Sequence, residues 1–192
     1  MPKIPAAVLK NVLYLYESEE AAKKGIRSGG TGFLVGVPSA VRPNALYIYA
    51  ITNYHNINGE APGWPVVRLN KLDGTAAIYP FGHDDWTYSS ELGYDIAATI
   101  LPIKNNVHDF KVMPASGLMS REKHAENRIG PGDETFMVGR FVDHDGSTTN
   151  VPSARFGYVS INPTKMMSPY FQKPVEMYCL DTNSRSGYSG SP

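Results

Sequence analysis

The chain has 192 residues, enough for one large or two small domains with a sizeable core. Its 18 Lys and Arg balance its 18 Asp and Glu, which argues against a bulk electrostatic role on nucleic acid or an anionic membrane. The one cysteine, Cys179, excludes an intrachain disulfide and reads as a small buried hydrophobe.

With 18 Gly, 15 Pro and 12 Tyr, the composition favours short strands and many turns. No apolar run reaches the roughly 18 residues of a spanning helix. The stretch Met1 to Tyr16 is a poor leader peptide. An intracellular protein, or one whose leader has been removed, is the expectation.

In chain order, Asn11–Ser18 alternates apolar and polar residues and predicts a strand. Glu19–Ser28 reads as a solvated loop rather than a helical turn, because Gly25 follows so soon. Gly29–Val37 predicts a glycine-led strand, and Leu46–Thr52 a strand buried on both faces that delivers Asn53, Tyr54 and His55 at its end. Val66–Asn70 and Ala76–Phe81 predict a hairpin around Asp73-Gly74. Gly82–Gly93 is a polar loop, and Asp95–Leu101 a strand opened by its acid. A short helix is expected at Ser120–Asn127, with Ser120 as its N-cap. Thr135–Val142 and Arg155–Ile161 are strands about an Asp145-Gly146 turn; Asn162–Pro174 is a loop, and Val175–Leu180 the last strand. The sum is an all-β fold of short strands.

The chain closes on Gly187-Tyr188-Ser189-Gly190-Ser191-Pro192. Glycines on both sides let the backbone reach φ > 0 and approach a reacting carbonyl, and the amides of Gly187 and Ser189 are candidates to receive an oxyanion. Gly-Ser turns are also common in surface loops, so a nucleophile turn requires a base and an orienting acid upstream. Of five histidines, His83, His108, His124 and His144 sit in polar loops or near Asp residues, where solvation is the default, whereas His55 ends an apolar strand. Asp95 stands beside Ile96-Ala97-Ala98, where a carboxylate needs a partner. His83-Asp84-Asp85 reads as a solvated loop and no metal site is expected. Trp64 and Trp86 read as packing residues, and Tyr54 as core or pocket rim.

Gly30-Thr31-Gly32-Phe33-Leu34-Val35, Ile51-Thr52-Asn53-Tyr54-His55, Tyr94-Asp95-Ile96-Ala97 and the closing Gly187–Pro192 stretch together resemble the trypsin-like (chymotrypsin-fold) serine peptidases, in their bacterial, disulfide-free form. The resemblance spans residues 11 to 192. It implies two antiparallel six-stranded barrels with the active site between them: residues 1–110 carrying His55 and Asp95, a connection over 111–130, and a second, incomplete barrel over 131–192 carrying Ser189. It implies His55 as general base and then acid, Asp95 as its orienting group, Ser189 as nucleophile, and Gly187 and Ser189 as the oxyanion hole. Asn183 and Ser186 would line the specificity pocket; a neutral Asn183 at its base argues against selection for Lys or Arg, and Asp181 two residues earlier would reverse that if the loop alignment slipped. The implied reaction is endopeptidase cleavage through an acyl-enzyme, with no cofactor and with a peptide or protein as substrate.

Three features depart from the family. Tyr188 stands where many secreted members have an acid that pairs with a new N-terminal amine. Ser191 replaces the usual glycine. The chain stops where the family continues for some tens of residues, so the expectation is a truncated second barrel. These departures feed a rival reading, a non-catalytic barrel serving as a peptide-binding or scaffold module. An esterase is the weaker rival, since nucleophile-elbow enzymes run Ser…Asp…His with alternating helices.

Overall fold

The computed structural model describes residues 3–26, 28–58, 65–141, 146–182 and 187–192. The strands are β1 (Val12–Tyr16), β2 (Ser28–Pro38), β3 (Leu46–Thr52), β4 (Val66–Asn70), β5 (Ala76–Tyr79), β6 (Thr87–Tyr88), β7 (Ala97–Ile100), β8 (Met113–Pro114), β9 (Glu134–Gly139), β10 (Ser153–Met167) and β11 (Pro174–Thr182). Among the described residues four short α-helices accompany them: α1 (Ala6–Leu9), α2 (Glu19–Lys24), α3 (Tyr54–Ile57) and α4 (Arg121–Glu126). The first eight strands form one sheet in the order β5-β4-β1-β2-β3-β7-β6, with β8 parallel to β2; β11-β10-β9 form a second, antiparallel sheet. Among the described residues neither sheet closes on itself, so of the two expected barrels the structure gives two open sheets, antiparallel but for the β2–β8 pair.

β1 is buried along its whole length, and its alternation assigns each residue to one of two cores. Leu13 and Leu15 face a cluster with Leu34, Ala50, Ile57, Val67, Leu69, Trp86, Ala97 and Leu101. Val12, Tyr14 and Tyr16 face the other way, onto Ala21 and Ala22 of α2, Val66, and Val138 of β9. One strand thus packs the first sheet internally and joins it to the second. Arg68 is fully buried beside it, 4.6 Å above the Tyr16 ring, and donates to Asn150 Oδ1 at 2.8 Å and to the carbonyls of Ala22 and Ser147. A buried guanidinium survives only with such partners.

Several expectations need correction. Glu19–Lys24 is a helix, not a loop: Ser18 Oγ accepts the Ala21 amide, and Glu19 and Glu20 in the first turn face Lys23 and Lys24 in the last. Gly25 sits at φ 65 as the C-terminal cap, so the residue read as a breaker finishes the helix. β3 is buried only in its second half; Leu46 and Tyr47 are exposed. β10 runs on to Met167, through the stretch read as loop, because register shifts between Val159 and Thr164 take up Pro163. His108 is buried rather than solvated: its Nδ1 accepts the Lys104 amide and its Nε2 lies 2.5 Å from the Tyr79 hydroxyl. Cys179 is half-buried, 3.8 Å from Met166 Sδ, not enclosed. Trp86 packs in the first core, while Trp64 and His144 lie outside the described residues. The Asp73-Gly74 hairpin and the Ser120 cap stand as expected. No described helix is long and apolar enough to cross a membrane.

Candidate active site

β3 ends at Thr52 and turns at once into α3, a single helical turn that carries His55. A helix this short leaves its amides unsatisfied. Asn53, at the N-cap position, makes no side-chain cap bond. Its Nδ2 instead donates to the Asp95 carbonyl at 2.7 Å. Asp95, in the loop just ahead of β7, supplies what the helix lacks: Oδ1 accepts the His55 amide at 2.9 Å, and Oδ2 lies 2.6 Å from His55 Nδ1. The carboxylate therefore grips both the backbone and the ring of one residue. Both side chains keep about a fifth to a quarter of their surface open, 24% for His55 and 21% for Asp95.

Ser189 arrives on a turn closed by the Ser191 amide on the Tyr188 carbonyl at 2.9 Å. Gly190 occupies the third position at φ 86, where a type II turn demands glycine. A Cβ there would lie 2.1 Å from the Thr31 carbonyl oxygen. The Ser189 carbonyl accepts two bonds, from the Thr31 amide of β2 and from Asn56 Nδ2 of α3, each at 2.9 Å. Asn56 follows His55 on α3 and also donates to Thr52 Oγ1 at 3.0 Å. The Thr31 hydroxyl donates to the Gly187 carbonyl at 2.6 Å and accepts the Arg140 amide at 3.1 Å. The serine turn is thus fastened to the element that carries the histidine. Ser189 itself is exposed. Among the described residues no hydrogen bond joins the His55 ring to the Ser189 hydroxyl, and no acceptor takes the Gly187 or Ser189 amide.

Thr31 and Asn56, both fully buried, were not singled out by the sequence reading. Their one signal is the pair of glycines about Thr31: a Cβ at Gly30 would meet Asn56 Nδ2 at 2.5 Å. Tyr188 was read only for the ion pair that it does not make. It is an anchor, buried to 4% exposure, with its hydroxyl on Ser153 Oγ and its ring 5.2 Å beneath the Arg155 guanidinium. Ser191 is accommodated because Gly139 lies opposite; a Cβ on Gly139 would sit 2.3 Å from Ser191 Oγ.

Tyr54 packs between Tyr88 and Phe171 at ring-centroid distances of 4.4 and 4.8 Å, and burial, followed by Tyr88, raises its hydroxyl above the ordinary value. Tyr170 stacks on the His55 ring at 4.8 Å. Asn183 and Ser186, the expected pocket residues, lie outside the described residues; Asp181 is an exposed residue of β11 paired with Tyr158. His83, Asp84 and Asp85 form an exposed 3-10 turn, and among the described residues no three metal-ligating side chains converge.

No protein-family model matches the sequence. No curated protein matches it. Solved structures do. Deg5 superposes with a TM-score of 0.57 at 19% identity over 97% of this chain and 75% of that one. The MamO protease domain from Magnetospirillum magneticum gives 0.58 at 16% over 97% and 78%. The HtrA-type protease AlgW, solved with a decapeptide, gives 0.57 at 14% over 97% of this chain and 52% of its own. The chain has the β fold of trypsin-like serine protease domains.

Proposed function

We propose that the protein is a serine endopeptidase in which His55, Asp95 and Ser189 act as a triad. The observation that carries the reading is the two-point grip of Asp95 on the amide and Nδ1 of His55. A carboxylate at Nδ1 keeps the proton on that nitrogen and leaves the Nε2 lone pair free to act as base. In the proposed reaction Nε2 takes the Ser189 proton as Oγ attacks the scissile carbonyl. The imidazolium beside Asp95 then protonates the leaving amine, and water repeats the sequence to release the acid. The Gly187 and Ser189 amides receive the oxyanion. The bonds of Thr31 and Asn56 to the serine turn support this arrangement, because they restrain the nucleophile relative to α3. The ring closes on Ser189 when substrate arrives, as catalytic hydrogen bonds often tighten only in the complex. A peptide substrate fits the fold and the decapeptide held by AlgW.

The test is cleavage of a fluorogenic peptide library by the chain and by His55→Ala and Ser189→Ala. Both variants are expected to lose activity to a similar extent, because such residues act as a unit. Near-normal turnover in His55→Ala refutes the assignment of the base. The second reading, a peptide-binding module without catalysis, draws on the absent His55–Ser189 hydrogen bond. It predicts peptide binding without cleavage, unchanged in Ser189→Ala.

A further inference from the structure

The turn between β10 and β11 is built to hold its shape. The Lys173 carbonyl accepts the Ser168 amide at 2.8 Å, and the Ser168 carbonyl accepts the Gln172 amide at 2.9 Å, with Gln172 at φ 52. The turn is also fixed to the segment ahead of Asp95. Lys173 Nζ donates to the Glu91 carbonyl at 3.2 Å, and a Cβ on Gly93, at φ 76, would lie 2.8 Å from Lys173 Cβ. From this fixed turn Phe171 packs on Tyr54, and Tyr170 lays its ring over the His55 imidazole, 4.8 Å between centroids and 12° from parallel. Tyr170 remains 49% exposed, so it contributes little to either core. Its defined contact is the histidine.

We propose that Tyr170 is a positioning residue for His55, holding one face of the imidazole and stabilising the imidazolium formed when the ring carries the Ser189 proton. The proposal rests on the peptidase reading. An aromatic face attracts a cation within about 6 Å of its centroid, and the stack places the ring within that distance. The same packing restrains a ring whose Nδ1 lies 2.6 Å from Asp95 Oδ2.

The elements that flank His55 carry these titratable groups: Tyr54 on α3, Tyr88 on β6, packed against Tyr54, Glu91, Tyr94 and Asp95 ahead of β7, Tyr170 and Lys173 in the β10–β11 turn, and Tyr188 in the closing turn. Lys173 is turned to the Glu91 carbonyl, Tyr188 to Ser153, and the Tyr54 hydroxyl to Asn58. The Asp95 carboxylate meets the ring at Nδ1 and the Tyr170 ring covers one of its faces. Burial first, and then the Asp95 charge, hold the Tyr170 hydroxyl above its ordinary value, so it stays neutral where a histidine titrates.

The experiment compares the full chain with Tyr170→Phe and Tyr170→Leu. Leucine keeps the ring covered but removes the aromatic face. The ring-proton NMR signals of His55, which lie over the Tyr170 face, are expected to shift in Tyr170→Leu and to stay in place in Tyr170→Phe. On a peptide substrate, Tyr170→Leu is expected to lower kcat by about two- to fivefold with KM unchanged, and Tyr170→Phe to restore it. An unchanged kcat in Tyr170→Leu, or unmoved His55 ring signals, overturns the proposal. So does a rise in KM with kcat intact, which marks a substrate contact instead. A wild-type chain without turnover overturns the peptidase reading and the imidazolium role with it. In that case the NMR shift, which needs no turnover, still reports whether the stack acts on the ring.

Discussion

Thr31→Val isolates the hold on the serine turn. Valine keeps the shape of threonine and removes only the hydroxyl. That hydroxyl makes two bonds, to the Gly187 carbonyl at 2.6 Å and from the Arg140 amide at 3.1 Å, at a residue with no exposed surface. Each partner that loses its bond costs about 1–2 kcal/mol, the lower part of the usual range because the Arg140 bond is only part-buried, so the change should destabilise the fold by about 2–4 kcal/mol. Against a typical total of about 5–15 kcal/mol that is a large fraction. For a chain of this length it lowers Tm by roughly 5–12 °C. The Thr31 amide would still hold the Ser189 carbonyl, so the turn should loosen at Gly187 first and slow acylation of Ser189. The assay is a thermal melt paired with the rate of organophosphonate labelling, run beside Thr31→Ser, which keeps the hydroxyl and should recover most of both losses. A valine variant that melts within 2 °C or so of wild type, or a serine variant that fares no better, refutes the clamp.

Two further predictions concern stability. Ser191 Oγ is buried without a hydrogen-bond partner among the described residues; Ser191→Ala should therefore raise Tm, by the equivalent of about 1 kcal/mol, and a lower Tm would mean that the hydroxyl has a role that the packing does not reveal. Burial raises the hydroxyls of Tyr54, Tyr79 and Tyr170 above their ordinary value of 10.0. These groups release protons more readily when unfolded, so their contribution is complete below pH 10 and is lost as pH rises towards the folded values. Melts from pH 8 to 11.5 should fall on the alkaline side only, and absorbance titration should show these three among the last of the 12 tyrosines to ionise; a flat profile contradicts this.

Much of the frame was legible because it follows from period and punctuation. The strand at Asn11–Ser18, the Asp73-Gly74 turn and the Ser120 cap are local signals, and local signals survive folding. Gly25 misled because the same residue ends a helix and breaks one, and only the Ser18 cap ahead of it distinguishes the cases. Pro163 misled because a strand with a shifted register tolerates proline. The contact between His55 and Asp95 was legible because a carboxylate beside an apolar strand demands a partner. Thr31 and Asn56 were invisible for the opposite reason: a buried polar side chain is recognised by what it binds, and their partner Ser189 lies far along the chain. Tyr170 was hidden in the same way, in a turn that sequence alone ties to nothing.

The most direct measurement of the central claim is where a serine-directed organophosphonate lands. After treatment of the full chain, mass spectrometry of its peptides should find one adduct, on Ser189, formed slowly in His55→Ala and missing in Ser189→Ala. Label on another residue, or a wild-type chain that stays unmodified while folded, contradicts the account.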